Sequence, residues 1–183
     1  MIVPNYSTRA LVDAVRECRS LLVSPEGARK VPRLLAEAGV RFVVVESLTG
    51  AKIDGVCFWL DDRSPVIGMS MRHDRIDNFW FILRHECEHV LRGDGRTCIA
   101  MDADLERERA GTGQDVEESE RVANEAAADF CVPSSSLQQF IARKAPLFTE
   151  RDILGFARTI NVHPGIVAGQ LQQRPPAGAH RVA

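Results

Sequence analysis

Cysteine is sparse and unpatterned in this chain. Its five cysteines (Cys18, Cys57, Cys87, Cys98 and Cys131) are odd in number and scattered, and no CxxC pair occurs. That spacing excludes a disulfide framework and a cysteine-based zinc site, so the thiols are expected to be reduced. A basic excess is also missing. The 23 Lys+Arg against 25 Asp+Glu leave a formal net charge of -2, which argues against direct nucleic-acid binding. No apolar run is long enough to cross a bilayer, and MIVPNYSTRALVDAV lacks the basic start and apolar stretch of a secretory leader. No internal repeat is present. The expectation is a cytoplasmic protein with no membrane role.

What remains is sufficient for one core. With 183 residues, 45% of them hydrophobic, the chain reads as a single domain over 1–174 with a disordered tail at 175–183. STRALVDAVRECRSLL (7–22) predicts a helix capped by Ser7 or Thr8, with Leu11, Val12, Val15, Cys18 and Leu22 on its apolar side. A second helix is expected from Pro25 to Ala38, limited or kinked by Pro32 and stopped at Gly39. VRFVVVE (40–46), IDGVCFWL (53–60) and PVIGMSM (65–71) read as three strands of a small, mostly antiparallel sheet, with turns at Thr49-Gly50 and Asp61-Asp62. Helical spacing returns over 75–91 and ends at Gly93-Asp94-Gly95. Residues 96–119 read as a solvated acidic connection. Four helical stretches follow: 117–132 ending at Pro133, one capped by Ser135 or Ser136, and a pair joined at Asn161–His163. The expected class is α+β.

Within the helix at 75–91 lies RHECEHV. Residues four apart share a helix face, so His85 and His89 can ligate one ion, and Glu86 beside the first ligand can take a proton from attacking water. Cys87, two positions from each histidine, falls on the far side of the helix at roughly 100° per residue. A hydrolytic zinc site takes three protein ligands, so a third must come from elsewhere. His73, His163 and His180 qualify by type. The 117–132 helix offers carboxylates: Glu120 shares a stripe with Asn124, Ala127 and Cys131, and Asn124 would then support the ligand. Glu125 with Asp129 is the competing pair.

The motifs in order resemble the ImmA/IrrE family of gluzincin-type metallopeptidase domains, often associated with helix-turn-helix repressors and antitoxins. The segments that carry the resemblance are RIDNFWFILRHECEHVLRGDG and ESERVANEAAADFCVP, with FTERDILGFARTINVHPGIVAGQLQQR resembling the end of family members. The similarity spans about residues 30–174. The family's second motif runs Glu-x-x-Ala-Asn and ends in Pro, matched here by Glu120, Ala123, Asn124 and Pro133. The resemblance therefore implies Zn2+ held by His85, His89 and Glu120. Two positions depart from the pattern: Glu88 stands where an uncharged small residue is usual, and Ala126 where Phe is common.

Two functions follow as expectations. The first is a zinc endopeptidase cutting a protein regulator, a repressor or antitoxin in a phage, mobile-element or stress-response circuit. Glu86 would be its base, His163 the donor that polarises the scissile carbonyl, and PVIGMSM the edge to which substrate adds as a strand. The second is a non-catalytic regulatory domain that keeps the metal. Direct DNA binding through 149–174 is weaker: Ala157, Asn161, Val162, Val167 and Leu171 fit a helix-turn-helix spacing loosely, but PGIVAGQLQQR carries one Arg and no Lys.

Overall fold

A computed structural model describes residues 3–46, 53–71, 73–96, 100–103 and 118–173, with 100–103 as backbone alone. Seven α-helices and four strands are formed among them, and the class is α+β as expected. Helix α1 (Thr8–Arg19) begins at Ser7, whose side chain accepts the Ala10 amide at 3.3 Å. Its buried residues are Leu11, Ala14 and Cys18, and Leu22 just beyond it is buried too; of the expected apolar side only Val12 is exposed, with Ala14 facing inward in its place.

The expected second helix is divided. A 3-10 turn at Pro25–Lys30, capped by Ser24, leads into α2 (Val31–Glu37). Pro32 causes the change: lacking an amide, it is tolerated only in the first turn of a helix, so the α-helix proper starts beside it. Gly39 (φ +85°) then reverses the chain, and any Cβ there would strike the backbone of Asn5 and Tyr6.

Strands β1 (Arg41–Val45), β2 (Ile53–Trp59), β3 (Pro65–Ser70) and β4 (Ala100–Ala103) form one sheet in the order β1-β3-β2-β4. The tight turn at Asp61–Ser64 makes β2 and β3 an antiparallel hairpin, and the Arg63 amide on the Asp61 carboxylate holds that group below its usual range. β2 also pairs antiparallel with β4, whereas β1 runs parallel to β3, in register from Arg41↔Val66 to Val45↔Ser70. The β1–β3 pair corrects the mostly antiparallel reading at one seam. Two further corrections follow from the strand order. The acidic connection contributes β4 instead of only a solvated loop; residues 104–117 and the tail from 174 lie outside the described residues, as does the turn at Thr49-Gly50. β3 is interior, bonded on both sides and buried along its length, so it offers no edge to a substrate.

Helix α3 (Ile76–Arg92) crosses the molecule's centre, packing against α1, α4 (Glu118–Cys131), α7 (Pro164–Gln172) and strands β2 and β3. Trp80, Ile82, Leu83, Cys87 and Val90 are almost wholly buried there. Between α4 and α7 lie α5 (Ser134–Lys144) and α6 (Glu150–Thr159). α5 starts at Ser134, earlier than expected, because Asp129 accepts the Ser134 amide at 2.8 Å. α6 has a full capping box between Thr149 and Asp152. α7 buries Ile166, Val167, Gly169 and Gln170 against α3 and α4, the placement of a core helix. No helix among the described residues is long and apolar enough to cross a membrane.

Candidate metal centre

The site is assembled where α4 lies along α3. Small residues make the approach possible: Ala123, Ala127 and Cys131 form the buried stripe of α4, and interaxial distance follows the side chains at the contact. The same face carries Glu120 one turn before Asn124. On α3, His85 and His89 stand four apart with their rings in contact, 4.7 Å between centroids.

Three ligand atoms converge. His85 Nε2 and His89 Nε2 are 3.0 Å apart, and the Glu120 carboxylate lies 3.4 Å from the first and 3.3 Å from the second. Tetrahedral zinc with bonds near 2.0–2.1 Å would separate its ligand atoms by about 3.3 Å, so the spacing suits that ion. The donor chemistry agrees. Lone pairs of two neutral imidazoles and a carboxylate repel at such range unless a proton or a metal cation lies among them. His85, His89 and Glu120 form the one group among the described residues whose positions allow three-point metal ligation.

Glu86, next to the first histidine, is fully buried and faces β2. Its carboxylate fills the space left by Gly55: a Cβ there would lie 1.8 Å from Glu86 Oε1. An isolated glycine within a strand pattern is a signal of close approach, and it could have marked this residue in the sequence. A register irregularity in β2 between Ile53 and Gly55 sits beside the same contact.

The remaining sequence candidates fall into place around these. Glu125 is exposed and paired with Arg121 at 2.6 Å, and Asp129 caps α5, which removes that pair as an alternative third ligand. Glu118 is likewise exposed on Arg121. Glu88 is held by Arg84 at 2.7 Å, both side chains being largely buried, so its charge is drawn away from Glu86. Cys87 packs on the opposite side of α3 with Val15, Cys18, Leu35 and Phe130. Burial pushes its thiol upward and pushes those of Cys18 and Cys131 up to about 12. Cys18, Cys57, Cys87 and Cys131 form no disulfide among the described residues, and Cys98 lies outside them. Asn124 lies one turn beyond Glu120, and its Oδ1 is buried without a described partner.

His163 is placed differently from expectation. Its Nδ1 accepts the Gly165 amide at 3.1 Å, capping α7, and its own amide donates to Leu22. Gly165 also borders Ile76, nine residues before His85, or about 13 Å of helix rise. A histidine committed to a helix cap at that end of α3 is poorly placed to polarise a carbonyl at the ligand cluster. His73 lies in the turn before α3, and His180 is outside the described residues.

One contact is absent from the sequence reading. Asp94, read there only as part of a stop signal, places Oδ2 3.0 Å from His89 Nδ1.

A search of the curated proteins found no match. A family model, described as the IrrE N-terminal-like domain and classed among peptidases, matches residues 37–168. That span holds the whole sheet, the HExxH helix and the helix bearing Glu120. The chain belongs to the IrrE N-terminal-like domain family of peptidases.

Proposed function

We propose that the protein is a zinc-dependent endopeptidase acting on a protein regulator such as a repressor or antitoxin. The observation that carries the reading is the convergence of His85, His89 and Glu120 at tetrahedral-edge spacing, with the buried Glu86 next to His85 in the chain. Bound zinc supplies Lewis acidity, which polarises a carbonyl oxygen and acidifies water. Glu86 then acts on the water: it takes one proton as the oxygen bonds to the scissile carbonyl carbon. The same carboxylic acid returns that proton to the amide nitrogen as the C–N bond breaks, leaving a carboxylic acid and an amine, which become carboxylate and ammonium when the second water proton passes between them. Glu88, tied to Arg84, does not compete for that role.

With β3 interior, the edges of the sheet among the described residues are β1 and β4. β4 neighbours β2, the strand that touches Glu86, so its outer edge is the place for an extended substrate to add as a further strand.

A second reading, a metal-holding regulatory domain that cuts nothing, is favoured by the seclusion of the histidines and Glu86, each at most 1% exposed. The test compares wild type with Glu86→Gln, both loaded with zinc, on a repressor-like protein encoded beside the gene. Cleavage should fall by about 10²–10⁴-fold in the variant while one zinc per chain is retained. Wild type that binds the regulator as tightly as the variant and leaves it intact would replace the first reading with the second.

A further inference from the structure

The end of α3 is built to deliver one carboxylate to one ligand. Gly93 adopts a left-handed conformation (φ +80°), its amide returns to Val90, and the Asp94 amide returns to His89 at 2.9 Å. These are the two bonds of a Schellman motif, and they fold Asp94 back over the last helical turn. From there its carboxylate reaches His89 Nδ1 at 3.0 Å, with Arg92 Nε 3.4 Å from the same oxygen.

The loop is fixed from the other side as well. The Trp59 indole N–H donates to the Asp94 carbonyl at 2.8 Å, and Cys57 Sγ approaches that oxygen at 3.7 Å. Trp59 is itself confined, with Tyr6 edge-on to its ring and the Arg96 guanidinium 3.7 Å from its centre. Gly95 (φ +77°) allows the loop to touch β2, since a Cβ there would lie 2.5 Å from the Cys57 carbonyl oxygen.

We infer that Asp94 is a positioning residue for the metal centre: it fixes the tautomer and ring plane of His89, and Trp59 fixes Asp94. The inference rests on the metal-site reading above. An ionised carboxylate only accepts hydrogen bonds, so the imidazole proton sits on Nδ1 and the Nε2 lone pair faces His85 and Glu120. The other tautomer would put a proton where the cation belongs. Supporting carboxylates of this kind raise metal affinity by about 10–100-fold.

The test uses the full chain as wild type, Asp94→Ala, Asp94→Asn and Trp59→Phe, each checked for fold by circular dichroism. Two readouts are taken: the His89 tautomer in zinc-free protein by imidazole ¹⁵N NMR, and zinc affinity by competition with a chromophoric chelator. Wild type should show the Nδ1–H form. Asp94→Ala should lose it and bind zinc about 10–100-fold more weakly. Asp94→Asn keeps an acceptor oxygen and should recover much of both, a rescue that a merely structural aspartate would not give. Should Asp94→Ala fail to fold, Trp59→Phe must shift both readouts in the same direction. An unchanged tautomer and affinity in Asp94→Ala, or in Trp59→Phe standing in for it, overturns the inference, as does an Asn variant no better than Ala. If wild type binds no zinc, the metal reading fails on its own, while the tautomer in zinc-free protein still decides whether Asp94 sets His89.

Discussion

Gly55 faces the Glu86 carboxylate so closely that a methyl group in its place would lie 1.8 Å from Oε1. Neither atom can yield by rotation alone, because Glu86 is fully buried. Gly55→Ala is therefore expected to push the carboxylate out of line without touching a metal ligand. A displacement of about 1 Å at a reacting group costs roughly 100-fold in rate. Peptide-bond cleavage should fall by that order in kcat, with zinc content unchanged. Loss of zinc together with activity would mean that the clash is relieved through His85, and that Gly55 shapes the ligand frame instead of the base. The same scale explains why Glu88, one of the two residues that depart from the family pattern, leaves the ligand cluster undisturbed. Four-residue spacing on a helix sets Arg84 against it, and the 2.7 Å pair takes up its charge.

At the scale of elements, the site depends on the rotational register of α4 against α3. Ala123, Ala127 and Cys131 settle that register by burial, and it carries Glu120 inward and Glu125 outward. Glu120→Gln should weaken zinc binding by at least about 100-fold, more than the loss of a supporting residue would. Glu125→Gln, an exposed change, should leave it within about twofold. Equilibrium dialysis of both variants reads the difference, and equal losses would show that α4 is rotated from the described position. Much of this was legible beforehand. Apolar spacing, the Ser7 cap and the Gly93 stop placed α1 and α3, and four-residue spacing paired His85 with His89. The stripe on α4 left Glu120 and Glu125 both open, and the family motif favoured Glu120. What escaped has local causes. β4 lies in a run whose acidic composition masks a four-residue strand. The β1–β3 pairing is non-local, and hydrophobic patterning along a strand does not record which neighbour it takes. That ambiguity also led to β3 being read as an edge. His163 looked available because a histidine before Pro164 fits a cap and a catalytic group equally well by sequence.

The candidate ligands lie where the central helix meets its neighbours. His85 and His89 are on the helix that packs against α1, α4, α7 and the sheet, while Glu120 comes from a helix joined to it across residues the sheet also uses. A cation held by all three links α3 to α4 in the folded state, and the unfolded chain has no preformed site. Binding therefore adds directly to stability, by RT ln(1 + [L]/Kd), which reaches about 4 kcal/mol at a thousand-fold excess over Kd. For a chain of this size about 1 kcal/mol moves Tm by roughly 2–4 °C, so removal of zinc should lower Tm by about 8–16 °C. Differential scanning calorimetry at two free-zinc concentrations provides the check, because linkage requires Tm to rise with concentration. Glu86→Gln should retain the whole shift, since Glu86 is not a ligand, whereas Glu120→Gln should lose most of it. A chelator that leaves Tm unchanged in wild type would mean that α3 and α4 are held together by packing alone, with no cation bound among His85, His89 and Glu120.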